Sequence, residues 1–254
     1  MYDDQPNRTP LIIGGVLVVL FVAAAAIFFL TRAGPQSPSD VEAMFERSPM
    51  DRDIAHALKA NFPSDYDALL RQVSETSRTQ GRDAAMRQAG LFAERFIRSK
   101  VNAIMSAPDR DLQRIGGAEA DLVRALREEN VNLCADYTLR GFNPNTRLSP
   151  ASIQLAVRIS VLMLEAARNG DQAGRVPRPT LSQEDGQAWI AEVRRIDANA
   201  ADLITSHRVD SQTPTVQCNA GYAVYEAVTH LPGATAANVT AFMIRQATSM
   251  SPGS

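Results

Sequence analysis

The chain has 254 residues, with 26 basic and 28 acidic side chains and a formal net charge of −2, so no basic excess marks it for nucleic acid. Its two cysteines, Cys134 and Cys218, stand far apart in sequence, which excludes short-spaced zinc and redox motifs. A 45% hydrophobic composition supports a sizeable core.

Residues 1–10 form a short polar tail holding Asp3, Asp4 and Arg8. No charged residue follows until after Leu30. A helix of about 20 apolar residues spans roughly 30 Å, the thickness of a bilayer's hydrocarbon core. Residues 11–31 therefore predict a single-pass transmembrane anchor in contact with lipid. A cleaved signal peptide is the rival reading, but its apolar core runs about 7–15 residues behind a basic leader. Here the leader is acidic, Thr31-Arg32-Ala33 is a poor cleavage site, and no cysteine follows for lipid attachment. The Gly14-Gly15 pair and the Ala23–Ala26 run lack GxxxG spacing and read as helix filler. Arg8 before the span and Arg32 and Arg47 after it do not fix its direction. With only ten residues ahead of the span, export of everything behind it is the simplest arrangement. The expected location is the inner membrane of a Gram-negative bacterium, with the soluble part in the periplasm.

Residues 32–40 (RAGPQSPSD) predict a Pro/Ser linker. From there to residue 249 the hydrophobic period is helical and no alternating strand pattern occurs, so residues 41–249 predict an all-α soluble domain of about eight helices. Asp40–Arg47 is expected as a helix capped by Ser39, and Asp51–Asn61 as the next. Ser64 is expected to cap a third, running to about Thr79. After Gly81 the span Arg82–Ser106 carries Ala85, Ala89, Phe92, Phe96, Val101 and Ile104 as an apolar stripe. Asp109–Asn130 follows, and Gly116-Gly117 predicts a break or kink within it. Val131–Arg140 predicts a short helix bearing Cys134 and Tyr137.

Ser149 and Pro150 are strong start signals for a helix to Asn169, apolar almost all round and so central to the domain. Arg158 and Glu165 argue against that helix crossing a membrane. Glu165 and Arg168 have the i,i+3 spacing of a helix ion pair. Gly170 is expected to end the helix, and residues 170–179 to form a surface loop or a divide between two lobes. Leu181–His207 predicts one long helix started by Ser182 and Asp185. Thr213-Pro214 starts a helix with Cys218, Tyr222 and Tyr225 on one face, and Thr235–Ser249 the last. Residues 250–254 read as a disordered tail.

Chemistry is scarce. His56, His207 and His230 have no partner at metal-ligand spacing, and HExxH, GxSxG, P-loop and dinucleotide-turn patterns are absent. No catalytic residue, cofactor or metal is predicted. Only two of the 26 basic residues are lysines, Lys59 and Lys100. That bias fits a GC-rich genome, with the arginines on solvated faces among interleaved acids. In an oxidising compartment Cys134 and Cys218 are explained as one disulfide, the alternative being two buried thiols. Glu165 is the one carboxylate set among apolar neighbours, as a glycan-cleaving acid would be, but Arg168 would lower its pKa. The expected role is non-enzymatic: a scaffold, assembly factor or accessory subunit with protein partners in the envelope. A membrane-anchored cell-wall hydrolase or a periplasmic ligand-binding domain is the alternative.

Overall fold

Proline decides where five of the helices begin. Pro38, Pro49, Pro63, Pro150 and Pro214 each stand in a first helical turn. There a fixed φ suits the helix, and the missing N–H would have had no partner. The computed structural model describes residues 37–142, 146–172, 176–178 and 180–249; among these the chain is all-α, with eleven helices and no strand. The helices are α1 (Pro38–Arg47), α2 (Pro49–Asn61), α3 (Pro63–Gln80), α4 (Arg82–Met105), α5 (Asp109–Glu129) and α6 (Val131–Arg140). They continue as α7 (Pro150–Asp171), α8 (Gln183–Ile196), α9 (Ala198–Thr205), α10 (Pro214–Val228) and α11 (Gly233–Ser249), with one 3-10 turn at Val209–Ser211.

These starts correct the expected caps. Ser37, not Ser39, caps α1: its hydroxyl accepts from the Asp40 N–H while the Asp40 carboxylate accepts from the Ser37 N–H. α3 starts at Pro63 with no side-chain cap, so Ser64 lies inside it. Residues 38–40, expected in the linker, already belong to α1. The N-terminal tail, the anchor at 11–31, the rest of the linker and the tail at 250–254 lie outside the described residues.

Three further expectations change. α5 runs unbroken through Gly116-Gly117. A Cβ on Gly116 would stand 2.6 Å from Thr240 Oγ1 and 2.9 Å from a methyl of Val228. This glycine therefore lets α10 and α11 approach α5 rather than breaking it. Gly170 does not end α7 but lies inside it, where a Cβ would meet the Ala103 carbonyl oxygen at 1.9 Å. α7 and α4 thus touch backbone to backbone at this crossing. The expected helix Leu181–His207 is two helices. Asp197 is extended (φ −150°, ψ 104°) and its carboxylate accepts from the Ala200 N–H at 3.0 Å, offering the backbone an end to α8 and a cap for α9.

α7 occupies the middle. It packs on α2, α4 and α5, and α5 in turn carries α6, α10 and α11. Ile159, Met163, Leu164 and Ala166 of α7 are almost wholly buried, as are Leu112, Ile115, Leu122 and Leu126 of α5. By length and composition α7 is apolar enough to cross a bilayer, but more than half of its most apolar stretch is buried within the fold. It is a core helix. Cys134 of α6 and Cys218 of α10 form a disulfide with Cα atoms 5.2 Å apart, stapling two packed helices.

The segment 176–178 is not a free surface loop. Val176 N–H donates to the Ser106 carbonyl at 3.0 Å. Arg178 is buried, and its guanidinium donates to the carbonyls of Met105 (3.0 Å) and Ala107 (2.8 Å), to Asn238 Oδ1 (3.1 Å) and to Asp109. Carbonyls at a helix C-terminus have no intrahelical partner. One planar fork thus closes the end of α4, the start of α5 and a side of α11. Arg178→Ala leaves these acceptors and Asp109 unpartnered. Asp109 is 42% exposed and stays hydrated, so the cost is that of buried carbonyls left without donors, roughly 1–3 kcal/mol of unfolding free energy, read as a fall in the urea midpoint. Arg178→Lys, which keeps the charge but loses the fork, should recover only part of it.

Candidate functional site

The expected ion pair between Glu165 and Arg168 does not form. Glu165 accepts from Arg114 Nη1 at 2.9 Å, across from α7 to α5. Arg168 instead donates to the carbonyls of Asn61 (3.2 Å) and Ala60 (3.4 Å). The reason is energetic. A surface i,i+3 pair stabilises by about 0.2–0.5 kcal/mol, whereas the last carbonyls of α2 lack partners and take a cation's donors well.

The paired Glu165 faces a polar groove of about 1,440 Å³, counted out into solvent, between α2, α5 and α7. Asp53, His56, Arg114, Gln154 and Arg158 line it with Glu165. Both signs of charge are present. Arg158 reaches Asp121 (3.5 Å), Asp121 accepts from Arg124 (2.9 Å), and Arg124 donates to Glu226 of α10 (2.7 Å). This chain of ion pairs laces α7, α5 and α10 along the outside. Two of the three histidines stand beside carboxylates: His56 lies 2.6 Å from Glu46 and His230 3.6 Å from Glu226. Among the described residues no three His, Cys, Asp or Glu side chains gather as metal ligands would.

A second opening is apolar. It holds about 620 Å³, open solvent included, and lies where α1 and α2 meet α3, α4 and α7. Phe45, Ile54, Leu69, Phe92 and Phe96 form much of its wall. Phe92 and Phe96 are near-parallel with centroids 6.3 Å apart, and Phe96 meets Phe62 edge-on at 5.1 Å. The one ionisable side chain on this wall is Asp51, 3% exposed. It sits in the first turn of α2, three residues after the N-cap Ser48, whose hydroxyl accepts from the Asp51 N–H. The Ser48 hydroxyl is also the polar neighbour of its carboxyl group, while Oδ2 is buried without a partner. Burial pushes the carboxyl up to about 7, and the Ser48 hydroxyl pulls weakly against it.

Two further acids are buried, both on α5: Asp111, whose Oδ2 accepts from Asn169 Nδ2 at 2.7 Å, and Glu119. Glu119 Oε2 accepts from the Tyr137 hydroxyl at 2.5 Å, and Oε1 has no partner. Tyr137 belongs to α6, one turn from Cys134, and its ring lies against those of Phe142 (4.4 Å) and Tyr225 (6.5 Å). Burial raises the Glu119 pKa to about 7, and the Tyr137 hydrogen bond opposes it. The same burial raises the Tyr137 hydroxyl far above its ordinary range.

Of the residues singled out by the sequence, the structure brings Cys134 and Cys218 together and separates Glu165 from Arg168. Sequence reasoning missed Asp51 and Glu119. Both carried a signal, because each falls on its helix's apolar stripe: Asp51, Ala55 and Leu58 in α2, and Ile115, Glu119, Leu122 and Leu126 in α5. Comparison with protein-family models, with curated proteins and with solved structures finds no match.

A raised carboxyl pKa makes stability depend on pH in a defined direction. Between the ordinary value of 4.5 and about 7, folded Glu119 holds a proton that the unfolded chain has released. Its contribution is whole below 4.5 and is lost as pH rises through about 7. Glu119→Gln keeps an acceptor for Tyr137 and removes the titration. It should unfold at higher urea than the parent at about pH 8, by on the order of 1–3 kcal/mol, and flatten the decline above about pH 5. Parallel pH profiles for parent and variant would contradict this assignment.

Proposed function

We propose that this chain is a membrane-anchored periplasmic protein with a non-enzymatic role, a scaffold or accessory subunit of an envelope complex. The observation that carries the proposal is the buried Cys134–Cys218 disulfide, which belongs in an oxidising compartment. The uncharged run from Leu11 to Leu30 supplies the tether. Glu165 lines an open groove without touching Arg168, as a hydrolase would need, but its ion pair with Arg114 favours a binding role. A glycosidase acid has an environment that keeps its proton on near neutral pH, and Glu165 stands 2.9 Å from a guanidinium. Mixed charge along the polar groove suits a polar segment of a partner protein, where complementarity sets specificity more than affinity.

The ligand-binding alternative draws support from one observation, the apolar cleft with its single buried acid. It is compatible with anchorage and with the disulfide.

Fractionation and redox state test the first proposal together. The intact chain should pellet with membranes and require detergent for release. Its gel mobility should shift on reduction, and two thiols should titrate only after reductant. Photo-crosslinkers in place of Gln154 or Arg158 should trap a neighbouring envelope protein. Intact chain bearing Met1 in the soluble fraction without detergent removes the anchor. Free thiols in the native chain remove the compartment argument. Removing both cysteines should cost about 2–5 kcal/mol of stability, read in denaturant titrations.

A further inference from the structure

The Asp51 carboxyl is more than a helix cap. Capping uses the Ser48 hydroxyl and the Asp51 backbone N–H, which holds the first turn of α2 without calling on Oδ2. An acidic group in a first turn also favours the helix dipole, but that benefit needs no burial. Asp40, at the matching position of α1, keeps its carboxylate at the surface and returns a bond to its own cap. Asp51 instead lies 3% exposed on the wall of the apolar cleft, with Oδ2 unpartnered among the described residues. Burying a carboxylate without a partner is costly, and the cost is recovered when a donor or a counter-charge arrives.

Among the described residues no basic side chain stands on that wall. The nearby Lys100 is engaged elsewhere: its ammonium lies 2.9 Å from Asp171 Oδ2 and 4.6 Å from the centre of the Phe62 ring. The cleft thus combines one acidic acceptor with the rings of Phe45, Phe92 and Phe96. An ammonium N–H can donate to such an acceptor in a charge-assisted bond, and aromatic faces attract the same cation. A carboxylate ligand would be repelled, and a neutral alcohol could donate but would leave the charge uncompensated.

We propose that the cleft between α1, α2 and α4 binds a small organic ammonium ion, whose N–H donates to the Asp51 carboxylate as that side chain turns its enclosed Oδ2 into the cleft, and whose apolar body packs against Phe45, Phe92 and Phe96. This site is independent of the scaffold role, because the polar groove lies on a different set of residues. Failure to trap a partner at Gln154 or Arg158 would leave it standing.

The test is calorimetric titration of the full chain in a neutral maltoside detergent at about pH 8, where the carboxyl is ionised, with empty-micelle titrations subtracted. The probes are benzylammonium chloride and its neutral near-isostere benzyl alcohol. Benzylammonium should bind, and benzyl alcohol at least about tenfold more weakly. Asp51→Asn, which relieves a buried charge and so should fold, should erase that preference. Phe92→Ala, at a half-buried position on the wall, should weaken both probes while keeping their order. Equal affinity for the two probes, no binding of benzylammonium, or an unchanged preference in Asp51→Asn would each overturn the proposal.

Discussion

A helix that is apolar on nearly every side has to be surrounded, and α7 sets that requirement for the whole molecule. Its 22 residues include Val157, Ile159, Leu162, Met163 and Leu164, all buried. No single neighbour can cover such a surface. α2, α4 and α5 do so together, and α5 can lie against α7 only while its own second face is covered by α6, α10 and α11. The close crossing at Gly170 shows how little room the arrangement leaves. Both of the openings described above border this helix. Leu164 stands on the wall of the apolar cleft, and Val157, Val161 and Glu165 stand along the polar groove. The helix that organises the core therefore also fixes the distance and relative orientation of the two surfaces through which the protein could meet other molecules.

The polar chemistry inside this frame belongs to arginine. Arg178 and Arg168 each donate to carbonyls that end another helix, at α4 and α2 respectively. Arg124 bridges Asp121 and Glu226 across two helices. A guanidinium presents five donors in a plane and stays charged when buried, so one side chain can close several acceptors at a corner. Lysine could not replace it there. Composition alone suggested arginines spread over solvated faces, and many are, but Arg178 and Arg168 are the means by which loops and helix ends are satisfied.

What could be read from the sequence was set by period and punctuation. The α7 start at Ser149-Pro150, the α8 start at Ser182 and the apolar stripe of α4 are local signals, and each is where the pattern put it. The cysteine pairing is what the sequence leads one to expect of an exported domain with two cysteines. Misreadings came where a residue's meaning depends on what lies across the fold. Gly116 looks like a helix breaker until Thr240 and Val228 are seen against it. Glu165 and Arg168 look like partners until Arg114 and the end of α2 compete for them. Asp197 splits a long helical pattern because its side chain can cap locally, a choice periodicity cannot register. The buried acids were legible in part: a charged residue on an apolar stripe is visible in the sequence, but what it faces is not.

Asp51 and Glu119 show why that last distinction matters. The same desolvation acts on both, and both carboxyls are pushed up to about 7. Their surroundings differ. Glu119 is sealed between α5 and α6, with the Tyr137 hydroxyl donating to it beside a disulfide-stapled pair of helices. A group held that way is an internal tie, and nothing from outside can reach it without opening the core. Asp51 stands at the wall of a cleft, with a serine hydroxyl nearby and Oδ2 unpartnered among the described residues. Folding has left each acid one hydroxyl neighbour and one oxygen without a partner among the described residues. The same buried carboxyl chemistry thus lies inside the core in α5 and on a cleft wall in α2, and the difference lies in position, not in partnership or in the degree of burial.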